Sequence, residues 1–142
     1  MSENLMVGVM AREMGETHPP SYPIVLVVED DDSLRMLATD IVEETGLPVL
    51  AAADGEEAVR LLDRYPDIGI LFTDINMPGE VDGITLARIA RDRHPFMQLL
   101  FVSGYVTQDS AALPEGGHFF GKPYDVEQIS STLMKLGRRL QA

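Results

Sequence analysis

The sequence predicts an α/β domain built around a buried parallel sheet, and three observations predict it. Short unbroken apolar runs, rich in β-branched residues, recur from Ile24 onward. Unbroken apolar runs are the pattern of strands covered on both faces, as parallel strands covered by helices are. Between the runs, apolar residues recur every three to four positions, the spacing of a helix with one buried stripe. Caps and breakers stand at the joints between the two patterns.

The elements follow in order. IVLVV (24–28) reads as the first strand. Leu34, Leu37, Ala38, Ile41 and Val42 then keep helical spacing, and Gly46 is a natural stop. PVLAAA (48–53) is a short second strand. Asp54-Gly55-Glu56-Glu57 has the form of a capping box and opens a helix with Ala58, Leu61, Leu62 and Tyr65 on one face. IGILFT (68–73) is the third strand. Asp82 caps a helix carrying Leu86, Ile89 and Ala90, which ends before Pro95 because proline disfavours helix at His94. FMQLLFVS (96–103) is the fourth strand, residues 106–112 a short weak helix, and GGHFF (116–120) a brief fifth strand. Asp125, with Gln128 three later, caps a last helix bearing Val126, Ile129, Leu133, Leu136 and Leu140.

Five βα units with right-handed crossovers leave few topologies, and the flavodoxin-like (βα)5 sandwich, three layers with strand order 2-1-3-4-5, is the expectation. The domain is expected over residues 24–142. Residues 1–23 stand apart as an arm, because His18-Pro19-Pro20-Ser21-Tyr22-Pro23 is rich in breakers. Leu5, Met6, Val9, Met10 and Met14 in that arm have weak amphipathic spacing, so the arm reads as either flexible or a short helix.

Composition excludes several function classes. The chain has 142 residues, 45% of them apolar, enough for one self-sufficient core. It has no cysteine, which removes disulfides, thiolate metal sites and cysteine catalysis. Twenty-three acidic residues against eleven basic ones give a net charge of −12. Such a surface repels nucleic-acid phosphates and anionic membranes and suits a cation or a basic partner. No run reaches the ~20 apolar residues of a membrane helix, and no basic segment precedes the apolar stretch near the N-terminus, so a cytoplasmic protein is expected.

In a sheet of this order, function gathers beyond the carboxyl ends of the strands. There the sequence places Glu29-Asp30-Asp31-Asp32 after strand one, Asp74-Ile75-Asn76-Met77-Pro78-Gly79 after strand three, Ser103-Gly104-Tyr105 after strand four, and Gly121-Lys122-Pro123-Tyr124 after strand five. Topology therefore brings Glu29, Asp30, Asp74, Ser103 and Lys122 to one pocket. Clustered carboxylates repel one another and raise each other's pKa unless a cation intervenes. A site of hard oxygen donors, without histidine or cysteine, suits Mg2+, which takes oxygen ligands at about 2.1 Å. One carboxylate could then act as a nucleophile toward phosphorus, with the lysine and the hydroxyl binding the transferred oxygens.

VLVVEDD, LFTDINMPG, FVSGY and GKPY, in that order, resemble the signatures of a response-regulator receiver domain of two-component signalling, over roughly residues 24–140. Each motif alone is weak; four in order, each at a strand end, are specific. The resemblance implies that Asp74 is the phosphoacceptor and that Glu29 and Asp30, with Asp74 and the backbone carbonyl of Asn76, hold Mg2+ (or Mn2+). It implies Ser103 as the switch hydroxyl, Lys122 as the phosphate-binding lysine, Phe119 as the switch aromatic and Pro123 as the second residue of a cis peptide. Side chains at the positions of Asn76 and Tyr105 can tune phosphate lifetime in such domains. The glutamate at 29, in place of the commoner aspartate, would favour a water-mediated metal contact.

The same resemblance implies a regulator rather than an enzyme, with a histidine kinase or histidine phosphotransfer protein as donor and a downstream protein as target. Homodimerisation stays open, and no nucleic-acid or membrane partner is expected. The chain reads as a stand-alone receiver, since no further domain follows the last helix in the sequence and Arg138-Arg139 is no more than a charged helix end. Other readings remain beside it. A receiver-like module that is never phosphorylated would keep the same residues. A phosphohydrolase of the haloacid-dehalogenase type would want an acid where Asn76 stands. A flavin or nucleotide binder would want a glycine-rich loop where the acidic one stands. Asp31 and Asp32 read as helix-start residues, Phe119 and Phe120 could both be core, and His18, His94 and His118 form no ligand set. Two departures stand out: MPGEVDG is one residue longer than the usual loop, and the segment after Ser103 offers little helix.

Overall fold

The computed structural model describes residues 23–104 and 114–141. The arm through residue 22, Tyr105 and the weak helix read over 106–112 lie outside the described residues. Five strands, β1 (Ile24–Val28), β2 (Val49–Ala52), β3 (Ile68–Asp74), β4 (Gln98–Ser103) and β5 (His118–Gly121), form one parallel sheet in the order β2-β1-β3-β4-β5. Four helices are described: α1 (Asp32–Glu44), α2 (Gly55–Arg64), α3 (Gly83–Arg93) and α4 (Val126–Gln141). The expected flavodoxin-like order is the one found.

The sheet separates two apolar layers, and the pleat of β1 sorts its residues between them. Ile24, Leu26 and Val28 pack with Ala58 and Leu62 of α2 and Leu86, Ala87 and Ala90 of α3. Val25 and Val27 pack on the opposite face with Ala38, Ile41 and Val42 of α1 and Ile129, Leu133 and Leu136 of α4. This two-sided burial is why β1 contains no polar residue.

Helix starts follow local chemistry. Asp31, Asp54 and Asp82 each accept a hydrogen bond from the backbone N–H three residues on, capping α1, α2 and α3. Asp125 does the same for α4 through the Gln128 N–H. The box at α2 differs in one bond: Glu57 reaches back to the Ala53 N–H at 2.7 Å, one residue before the cap. Gly46, at φ 85°, closes the end of α1 where other residues would be strained.

Some boundaries differ from the sequence pattern. β4 begins at Gln98 rather than Phe96, because residues 94–97 form a turn closed by the Met97 N–H on the His94 carbonyl, and Phe96 points outward at 83% exposure. β2 and β5 are each four residues, over 49–52 and 118–121. Leu37 of α1 and Val126 of α4, both read as buried, are exposed. β3 carries a register shift beside β1: Ile24 faces Ile68, whereas Val25 faces Ile70. The extra residue is Gly69, and the bulge puts Ile68 in the same layer as Leu71 although their spacing is odd.

Candidate functional site

The strand register places the acidic residues. Val28 is level with Thr73, and Asp74 with Val102, so Glu29 and Asp74 are the next residues along adjacent strands. Ser103 is level with Gly121, which sets Lys122 just beyond it. The ladder continues past the strand ends through Glu29 N–H to Ala52 O, Ile75 N–H to Val102 O and Lys122 N–H to Ser103 O. Each site residue therefore projects from anchored backbone.

Glu29 and Asp74 are buried, at 2% and 5% exposure, as deeply as the core. Lys122 Nζ donates to both, at 2.9 Å to Glu29 Oε1 and 2.8 Å to Asp74 Oδ2. Burial alone would lower the affinity of its amine for a proton; the hydrogen bonds to Asp74 and then Glu29 outweigh it, and its pKa stands above the ordinary lysine value. One ammonium does not neutralise two buried carboxylates, and Asp30 adds a third at the exposed rim. Oxygens of Glu29, Asp30 and Asp74 lie within 4.8 Å of one another. The Asp30 carboxyl is held above its ordinary pKa, first by the loss of water on its protein side, then by its hydrogen bond with Glu29. A cluster of three hard oxygen donors carrying surplus negative charge fits a small divalent cation such as Mg2+.

The rest of the pocket is held by other donors. Asn76 donates its backbone N–H to Asp74 Oδ1 at 3.0 Å and its side-chain N–H to Ser103 Oγ at 2.9 Å. Asp31 N–H donates to Glu29 Oε2 at 3.1 Å, and Arg35 Nη1 to the Glu29 carbonyl at 3.0 Å. Asp32 pairs with Arg35 on the surface of α1, so Asp31 and Asp32 serve the helix start, as read. Tyr124 OH lies 3.3 Å from Glu29 Oε1, and its ring meets Phe72 edge-on with centroids 6.1 Å apart. Burial first, and the Glu29 charge second, push the phenol well above its ordinary pKa, so it is a neutral donor. The Lys122–Pro123 peptide is cis, as the resemblance implied.

The acceptor loop is fixed on both sides. A Cβ on Gly83 would lie 2.1 Å from the Asp74 carbonyl oxygen, so only glycine lets α3 begin against the end of β3. The loop with the additional residue is tied to α2: Glu56 Oε1 accepts the Val81 N–H at 3.2 Å, and Gly55 abuts Val81.

Of the residues singled out in the sequence, Glu29, Asp30, Asp74 and Lys122 converge, and Ser103 joins them through Asn76. Phe119 lies on β5 level with Phe101 and is 37% exposed. Phe120 packs against the α1/α4 layer. His94 and His118 lie apart from the cluster, one at the C-cap of α3 and the other at the start of β5. Two contributors escaped the sequence reading: Tyr124, noted only as part of a motif, and Arg35, whose spacing on α1 reads as a plain solvated charge.

The family model of the response regulator receiver domain matches residues 25–133. The sensor kinase CckA of Brucella abortus is 35% identical over 116 residues, which cover 79% of this chain and 12% of that much longer protein. The response regulator receiver protein CpdR of the same organism is 31% identical over 116 residues, covering 79% of this chain and 94% of its own. The crystal structure of the receiver domain from the hybrid histidine kinase CckA superposes with a TM-score of 0.67 at 34% identity, covering 80% of this chain and 97% of that one. Four strand-end motifs, the 2-1-3-4-5 sheet and these matches together make the chain a member of the response regulator receiver domain family of two-component systems.

Proposed function

We propose that the domain is a phosphoacceptor switch, phosphorylated on Asp74 in a reaction that needs Mg2+, and that the phosphoryl group biases a protein-binding surface. The observation that carries this reading is the setting of Asp74: buried at the end of β3, bonded to Lys122, and one of three carboxylates that close on a common point. Glu29, Asp30 and Asp74, with the Asn76 carbonyl, are the residues that would hold the ion. Bound there, Mg2+ would neutralise the charge of the transferring phosphoryl oxygens.

The steps then belong to the chain. An Asp74 carboxylate oxygen attacks the phosphorus of a phosphohistidine; the P–O bond forms as the P–N bond to the imidazole breaks. Lys122 turns from the two carboxylates to a phosphoryl oxygen. Ser103 gives up the hydrogen bond from Asn76 and donates to another. As Ser103 moves inward, Phe119 fills the space it leaves, and the surface around β4 and β5 changes. Driving such a two-state surface nearly fully from one state to the other takes about 5.5 kcal/mol of differential binding. Charge-assisted bonds of about 1.5–3 kcal/mol each, from Ser103 and Lys122, cover much of that.

The donor we propose is a histidine kinase or histidine phosphotransfer protein, the hybrid histidine kinase CckA, whose receiver domain this chain resembles, being of the first class by name, in the cytoplasm where such donors work. Among the described residues no helix is long and apolar enough to cross a membrane. Members of this family are regulators rather than enzymes, and the chemistry assigned to Asp74 concerns its own modification. The test is intact-mass measurement after incubation with a phosphoramidate or acetyl phosphate donor. Wild type gains one phosphoryl group with Mg2+ and none with chelator, and Asp74→Asn gains none. Uptake by Asp74→Asn would refute the assignment, and no uptake by wild type would favour the unphosphorylated binding module.

A further inference from the structure

We propose that Tyr124 is a positioning residue for the cation site. Its hydroxyl decides which oxygen of Glu29 is left for the ion and holds that carboxylate in place once Lys122 has turned away. The proposal rests on the reading of the acidic cluster given above.

Each carboxylate oxygen accepts two hydrogen bonds. Oε1 of Glu29 receives Lys122 Nζ at 2.9 Å and Tyr124 OH at 3.3 Å, and both its positions are used. Oε2 receives the Asp31 N–H at 3.1 Å, and among the described residues the remaining competitor for this carboxylate is the Asp30 carboxyl when it holds a proton. With Asp30 ionised, the second position of Oε2 is what remains to share an ion with Asp30 and Asp74. Glutamate at this place has one more rotatable bond than aspartate and needs an anchor to present the same oxygen each time. Asp31 N–H and Lys122 provide part of it. Lys122, however, is shared with Asp74 at 2.8 Å and is drawn to the phosphoryl group when Asp74 is modified.

Among the described residues, Tyr124 is the donor on Oε1 that has no second acceptor to serve. Its ring is half-buried and seated edge-on against Phe72, so the hydroxyl is delivered from a fixed body. A phenylalanine would fill the same ring space and leave Oε1 without this donor. At 3.3 Å the bond is long for a hydroxyl, which fits an oxygen already occupied by the lysine. With the lysine gone, the contact can shorten, and Tyr124 becomes the main restraint on that oxygen.

The experiment measures Mn2+ binding to the full chain, by the electron paramagnetic resonance signal of free Mn2+, with and without beryllofluoride on Asp74. Thermal melts are recorded beside it. Tyr124→Phe should weaken Mn2+ about threefold without beryllofluoride and about tenfold with it, below the full range of one hydrogen bond to a charged acceptor because the contact is long at 3.3 Å. Tyr124→Leu, which also loses the ring, should melt lower than Tyr124→Phe yet show the same dependence on beryllofluoride. Unchanged Mn2+ affinity in Tyr124→Phe, or a loss equal in both conditions, overturns the positioning role. Failure of the underlying reading looks different: wild type binds no Mn2+, or Asp30→Asn binds it as tightly as wild type.

Discussion

Asn76 donates its side-chain N–H to the Ser103 hydroxyl at 2.9 Å and its backbone N–H to Asp74 at 3.0 Å, so one residue links the proposed acceptor to the proposed switch. Ser103 Oγ accepts this bond, so moving the hydroxyl inward to a phosphoryl oxygen draws it away from Asn76 and breaks the contact. Removing the side chain should therefore favour the switched state. Asn76→Ala is expected to bind beryllofluoride about threefold to tenfold more tightly than wild type, the equivalent of one neutral hydrogen bond. Titration followed by NMR of the β4 and β5 amides measures it. Weaker binding in Asn76→Ala would count against the latch.

Lys122 is the cation that compensates Glu29 and Asp74. Lys122→Met should leave two buried carboxylates facing one another and cost about 2–3 kcal/mol of metal-free stability. That is at or below the low end for a broken buried pair, because the side chain is 18% exposed. Added Mg2+ should return part of the loss, since an ion that binds only the folded state stabilises it. Urea unfolding with and without Mg2+ reads both effects. The raised pKa of Lys122 gives the sign with pH: its contribution is whole below the ordinary lysine value of 10.5 and is lost as pH rises through the higher folded value.

Asp30 works in the opposite sense. Its folded pKa lies above the ordinary 3.8, so the folded chain takes up this proton more readily than the unfolded one. The site therefore contributes stability on the acid side, and that contribution fades as pH rises through the folded value. At neutral pH Asp30→Asn should stabilise the metal-free fold, by about 0.5 kcal/mol or less because solvent screens an exposed carboxylate. The same substitution should remove most Mg2+ binding. Melting curves and Mg2+ titration, run together from pH 4 to pH 8, separate the two effects.

Gly83 is required by contact rather than by backbone dihedral. A Cβ there would lie 2.1 Å from the Asp74 carbonyl oxygen and 2.7 Å from Ile75 Cα, both backbone atoms. Gly83→Ala should cost at least the ~1–3 kcal/mol of an overpacked core and should displace the acceptor loop. Gly46→Ala meets no neighbouring atom within 4 Å, and its cost is set by the positive φ instead. Denaturant midpoints compare the two, and beryllofluoride binding should fall only in Gly83→Ala.

Much of this protein is determined by the sequence itself. The apolar runs at 24–28, 68–73 and 98–103 have no polar residue that could face water without interrupting the sheet, save at their ends, so the layers and the parallel topology follow from burial. Acids at those ends then converge because the strand order makes their strands neighbours. Edges were less legible: Phe96 is apolar and extends the run, yet the turn before β4 turns it outward. Gly69 is the kind of residue that marks a bulge, but that the shift falls opposite β1 and moves Ile68 to the other layer is set by the pairing of the two strands. Tertiary structure alone decided which donors meet which oxygens. Asn76 and Ser103 are 27 residues apart, Glu29 and Tyr124 are 95 apart, and Glu56 reaches a loop 25 residues on. Periodicity reports which face a residue occupies, because the backbone sets that. The reach of a side chain across the pocket depends on rotamers and on neighbours from other strands, which no local pattern encodes.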